Sequence, residues 1–204
     1  KLNSSVYIKG VIAIFMMALA MIPVANFLGA LNAMLPLPDF LSFLKEIEAQ
    51  TLLITEQFLV MDTLIDLLLM LGLIGFIAAV GEELLFRGVL QNLFQEWFGS
   101  PHIAIWLTAF LFSVIHLQYH AVLPRFVLGA FIGYVYVYSG NLRSSMLLHF
   151  FYNSILVLLT FFIQHGGIDE SWEEVGAEGL MLVLISVLIL GILLLRRIPK
   201  ISSK

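Results

Sequence analysis

The sequence predicts an all-α protein: a multi-pass transmembrane bundle of about six spanning helices, with one amphipathic helix lying at the interface. Three observations carry that prediction. Hydrophobic residues make up 61% of the 204 positions and charged residues 12%, about half the charged share of a soluble domain. Apolar runs of about 20 residues, enough to cross roughly 30 Å of hydrocarbon, recur along the chain. Turn chemistry separates one run from the next. The composition also excludes other classes. No basic patch interleaved with aromatics is present, so no nucleic-acid partner is expected. With 0 Cys, disulfides, thiolate metal sites and cysteine nucleophiles drop out. The chain reads as one membrane-embedded domain over residues 1–204; it begins at Lys1 rather than Met, which leaves room for helices ahead of it.

The first span runs from about Tyr7 to Leu28 and holds Pro23, which should kink it. Its apolar stretch is too long for a signal peptide. Pro36 and Pro38 close a turn. From Asp39 to Glu56 the residues Phe40, Phe43, Leu44 and Ile47 oppose Lys45, Glu46, Glu48 and Gln50, the pattern of an interfacial helix. The second span covers about Asp62 to Val80 and continues toward Trp97, with Gly72, Gly75 and Gly81 permitting close packing or a local break. Gly99-Ser100-Pro101 turns the chain into a third span, about His102 to Tyr119, and a fourth follows from Val122 to Tyr138. Ser139-Gly140-Asn141 precedes a fifth, Met146 to Gln164. An acidic loop, His165 to Glu178, leads to the sixth, about Gly179 to Leu195, which ends in Arg196-Arg197-Ile198-Pro199-Lys200. Six spans put both termini on one side, with Lys1, Lys9, Arg143, Arg196, Arg197, Lys200 and Lys204; only Lys45 and Arg125 fall on the other. The positive-inside rule makes the first side cytoplasmic.

Chemistry enters where charge interrupts these spans. Gly81-Glu82-Glu83-Leu84-Leu85-Phe86-Arg87 follows a charge-free run from Leu67 to Val80. An ionised group at a bilayer centre costs about 2.5–3.5 kcal/mol even on lenient scales, so such groups face a protein interior or a wet cavity. Glu83 and Arg87 are i and i+4 and can pair. Glu82, rotated about 100° away, is left without that partner and is a candidate acid or base. His116 in Phe112-Ser113-Val114-Ile115-His116, and His149 with Asn153 at i and i+4, add imidazoles and an amide. Gathering them in one hydrated chamber lowers their desolvation cost. His120 is expected as a supporting or interior residue, Asp62 and Asp66 on a solvated face. No Gly-x-Ser-x-Gly and no His-Glu-x-x-His occur. A carboxylate that polarises water, with imidazole and amide donors for an oxyanion, suffices for amide hydrolysis.

Glu82-Glu83-x-x-x-Arg87, Phe112-x-x-x-His116 and His149-x-x-x-Asn153 resemble the three ordered motifs of the CAAX-protease and bacteriocin-processing (CPBP, or Abi) family, whose eukaryotic members are the type II CAAX prenyl endopeptidases. The resemblance covers about residues 72–164. It implies a glutamate-dependent intramembrane endopeptidase. Glu82 with His116 would activate water, His149 and Asn153 would hold the oxyanion, and Glu83, Arg87 and Phe112 would support them. No cofactor is expected; the alternative is zinc on Glu82, His116 and His149. The partners implied are the lipid bilayer and a peptide or protein substrate, lipidated or not, at a bacterial plasma membrane, with the chamber opening to the cytoplasm. Two other readings compete: a non-catalytic immunity or partner-binding relative, and a proton-coupled transporter. One difficulty is depth. Counted from His102, His116 lies roughly 21 Å up its helix, while Glu82 and His149 sit near the opposite ends of theirs.

Overall fold

A computed structural model describes residues 4–195, with side chains from residue 8 onward. The basic segment 196–200 and both terminal lysines of the charge count lie outside the described residues. The described chain is helical throughout: α1 (Ser4–Ala33), α2 (Phe43–Phe58), α3 (Leu64–Phe98), α4 (Pro101–Val114), α5 (Val122–Ser139), α6 (Leu142–Gln164) and α7 (Leu180–Leu195). Short 3₁₀ turns at Asp39–Leu41, Tyr119–Ala121 and Glu170–Glu174 link them. Four stretches are long and apolar enough to cross a membrane: Ile8–Ala33, Leu64–Phe98, Tyr119–Ser139 and Leu142–Gln164. α4 and α7 are apolar but shorter. The molecule is a helical membrane-protein bundle, as the hydropathy pattern predicts.

Local chemistry sets the boundaries. Gly99 adopts a left-handed φ of 65° after α3, Ser100 caps α4 through Ile103 N, and Pro101 opens it. Gly140, with φ 63°, ends α5, and Asn141 caps α6. Thr63 and Asp66 form a reciprocal capping box at the start of α3. Asp66 thus serves the helix end. α1 is the hub. Ile14, Met17, Ala18 and Met21 are fully buried against Leu128, Ile132 and Val135 of α5, Leu148 of α6, and Val183 and Leu190 of α7. Pro23 lies inside α1 without ending it. α4 and α5 meet through Ala109 and Ala130, where small side chains let the backbones approach.

The depth difficulty resolves in α3 and α4. α3 is one continuous helix of 35 residues, about 52 Å at α-helical rise, so the charged stretch lies near its middle. It is not uniform: π-helical segments at Leu71–Ala78 and Leu84–Leu90 flank Ala79–Glu83. Such segments widen the turn and free carbonyls for other partners. α4 has 14 residues, about 21 Å. The third span is therefore shorter than the sequence suggests, and His116 stands in the turn beyond it. That turn contains Leu117 at φ 54° and is anchored from α1, where Asn32 donates to Tyr119 O and accepts from Leu123 N.

α2 departs from its expected pattern at Glu48. This residue is buried (7% exposed), not part of the polar face. Its carboxylate accepts from His120 N at 3.1 Å and meets His120 Nδ1 at 2.9 Å. His120, expected as a supporting or interior residue, is half exposed and ties α2 to the turn.

Candidate active site

Three motifs from α3, the end of α4 and α6 converge on one cavity of about 460 Å³. Its wall includes Glu82, Phe112, His116, His149 and Asn153. Glu83 and Arg87 lie behind that wall, both fully buried. Helical spacing explains the division. One step of about 100° turns Glu82 to the chamber and Glu83 into the protein, where Arg87 meets it at 2.6 Å. Arg87 also donates Nη2 to Gly129 O at 2.7 Å and lies 5.2 Å from the centre of the Phe112 ring. Phe112 in turn packs edge-on against Phe86, His116 and His149. It separates the buried ion pair from the hydrated side.

Each imidazole is oriented through Nδ1. In His149 it donates to Glu83 Oε1 at 2.9 Å; in His116 it donates to Phe112 O at 2.7 Å. A carbonyl and a carboxylate oxygen only accept, so both Nδ1 atoms carry hydrogen and each Nε2 is left for other partners. His149 Nε2 lies 3.7 Å from Glu82 Oε2, beyond hydrogen-bond length. Asn153 donates from Nδ2 to Ile74 O at 3.0 Å, a carbonyl of the first π-helical segment. Its second amide hydrogen is unused there. The contact of Glu83 with His149 was not predicted. A carboxylate 66 positions earlier in sequence carries no spacing signal toward an imidazole, so pairing it with Arg87 was all that periodicity could deliver.

The wall also holds Arg125 and Tyr152, which no motif singled out, and Asn26 of α1. Asn26 donates to Glu173 O and Val175 O, so the loop 165–179 closes over this end. The lining comes from the C-terminal parts of α1 and α4, the N-terminal parts of α3 and α5, and the middle of α6. Apart from the α6 residues, these lie toward the end of the bundle that bears α2 and the acidic loop, away from the start of α1 and the end of α7. Most of the chamber wall thus lies in the half of the bundle away from the start of α1 and the end of α7. The cause is that Glu82 sits midway along α3 and His116 beyond α4.

Among the described residues, no three His, Asp or Glu side chains converge closely enough to hold a metal ion. Glu82, His116 and His149 would have to move together to ligate zinc.

Comparison with known proteins matches residues 64–155 to the family described as Type II CAAX prenyl endopeptidase Rce1-like. The chain is also 31% identical over 81 residues to the uncharacterized protein YpbD of Bacillus subtilis (strain 168). The aligned part is 38% of this chain and 38% of that protein, so the match spans well under half of its relative. No solved structure matches significantly. Over residues 64–155, the stretch that holds all three motifs, the chain resembles the type II CAAX prenyl endopeptidases.

Proposed function

We propose that this chain is an intramembrane endopeptidase in which Glu82 activates water against a peptide bond held in the chamber. The observation that carries the reading is the division of the acid pair. Glu83 is neutralised by Arg87 and bonded to His149, whereas Glu82 faces the cavity, where its contact with His149 Nε2 is 3.7 Å and longer than a hydrogen bond. A carboxylate facing a cavity is available to take a proton from water.

In this scheme a water held between Glu82 and His116 Nε2 gives its proton to Glu82 and attacks the scissile carbonyl carbon. The oxyanion receives hydrogen bonds from the free Asn153 amide hydrogen and from His149. To donate at Nε2, His149 must hold both ring protons, one of which Glu83 Oε1 accepts at Nδ1. Collapse of the tetrahedral intermediate breaks the C–N bond, and the proton on Glu82 passes to the leaving amine. Every proton is accounted for and the carboxylate is regenerated. Oxyanion donors of this type contribute about 10²–10³-fold in rate.

The positive-inside bias gives both termini a cytoplasmic side. The chamber then lies toward the outer leaflet, where the substrate meets it from the non-cytoplasmic side or laterally from lipid.

The deciding experiment is Glu82→Gln, which keeps shape and removes the base. Purified protein in detergent is presented with a quenched-fluorescence library of apolar peptides. The expected loss is about 10²–10⁴-fold, with the melting temperature retained. Undiminished cleavage by Glu82→Gln, or none by the unmutated protein, refutes the proposal; the latter favours the non-catalytic relative.

A further inference from the structure

We infer that Arg125, with Tyr152 in the same cavity wall, forms a carboxylate-binding subsite in the chamber, and that its ligand is a carboxylate of the peptide substrate. The inference rests on the endopeptidase reading above and adds what that substrate must carry.

Two of the described arginines stand in contrasting states. Arg87 is neutralised by its own chain, through Glu83 and Gly129 O. Arg125, near the start of α5, is not. Its Nη2 donates to Oε1 of the buried Gln118, but Nη1 is buried and meets no acceptor among the described residues. No carboxylate there comes within ion-pair distance of it. Glu82 and Glu48 influence it electrostatically without touching it. A guanidinium stays charged at any physiological pH, and a buried donor without a partner is costly. A cationic side chain in the cavity wall with a donor left unsatisfied is therefore a binding feature.

Tyr152 supports the assignment. It lines the same cavity, lies within electrostatic range of Arg125, and its hydroxyl has no hydrogen-bond partner among the described residues. An N–H and an O–H in one cavity wall, with a fixed positive charge, suit an oxyanion of low charge. A singly charged carboxylate fits better than a phosphate dianion, because Glu82 in the same wall repels the second negative charge. Two sources supply a carboxylate: the free C-terminus of a peptide, or an acidic side chain within it.

The test uses the full chain carrying Glu82→Gln, so that bound peptide stays intact. Three tetraleucine probes bear a neutral fluorophore at the N-terminus: the free acid, the C-terminal amide, and the amide with one leucine replaced by glutamate. Anisotropy in detergent should show the free acid binding about tenfold or more tightly than the amide. That preference should vanish on adding Arg125→Gln and survive in part with Arg125→Lys. A gain by the glutamate probe equal to that of the free acid assigns the source to side chains; a smaller one assigns it to the C-terminus. Equal affinity for acid and amide, a preference that persists in Arg125→Gln, or no binding by any probe overturns the inference. The acid-against-amide comparison needs no change at Arg125, so a misfolded variant cannot obscure it. Binding here is independent of turnover, whereas cleavage of the same probes by the unmutated protein tests the endopeptidase reading alone.

Discussion

Glu83 and His149 meet through a single oxygen: Oε1 accepts from His149 Nδ1 at 2.9 Å and from Arg87 Nη1 at 2.6 Å. One fully buried atom thus holds an ion pair together and aims an imidazole at the chamber. Glu83→Gln leaves Arg87 as an unpaired interior charge, and a loss of about 3–5 kcal/mol is expected. Replacing both, as Glu83→Leu with Arg87→Met, should recover most of that stability because no charge remains buried. Activity should be absent in the double variant, where leucine leaves His149 without an acceptor, and reduced in Glu83→Gln, whose amide oxygen still accepts but carries no charge. Thermal melts in detergent alongside peptide turnover separate the two effects.

Gly75 marks where α3 and α6 touch. A Cβ built there would stand 2.7 Å from Ser154 Oγ, a distance real contacts do not reach. Alanine is otherwise preferred to glycine in a helix by about 1 kcal/mol. Gly75→Ala alone should therefore bring little or no gain, while Gly75→Ala with Ser154→Ala should raise stability by about 1 kcal/mol. A double-mutant cycle by melting shows whether the two substitutions are coupled.

Leu117 holds a left-handed φ of 54° between His116 and Gln118, a conformation that costs a side chain about 1–2 kcal/mol. Leu117→Gly should be tolerated in both stability and turnover. Leu117→Pro, with φ fixed near −65°, should displace His116 and abolish turnover. Comparing kcat for the two variants tests whether this turn positions the imidazole.

The absence of cysteine makes single-cysteine labelling a direct reading of orientation. Ser171, exposed in the acidic loop, and Gln95, exposed near the end of α3, lie at opposite ends of the bundle. With both termini cytoplasmic, Ser171→Cys should react with an impermeant maleimide in intact cells. Gln95→Cys should react only after lysis. The reverse pattern would invert the topology and place the chamber toward the cytoplasm.

Much of this was legible in the sequence because hydrocarbon imposes simple rules. Span lengths, the turns at Gly99 and Gly140, and the facing of Glu82 against Glu83 follow from period and composition alone. What escaped was long-range or irregular. No residue type announces the π-helical segments of α3, the first of which meets α6 through Asn153 and Ile74 O. The early end of α4 was hidden because Ile115 and Leu117 continue the apolar run past the last helical residue. Glu48 reads as polar on its own helix and is buried only because His120 meets it from 72 positions away. Arg125 counted as a surface charge because nothing local shows a helix N-terminus facing a cavity.

Glu82 rides on a rod far longer than the hydrocarbon is thick, while Phe112 and His116 belong to a helix too short to match it. Changing lipid acyl length therefore strains these two helices in opposite senses: a thinner membrane tilts the rod, and a thicker one draws on the short helix. The separation of carboxylate from imidazole becomes sensitive to membrane thickness, and reconstitution in bilayers of graded chain length should give a turnover optimum rather than a plateau.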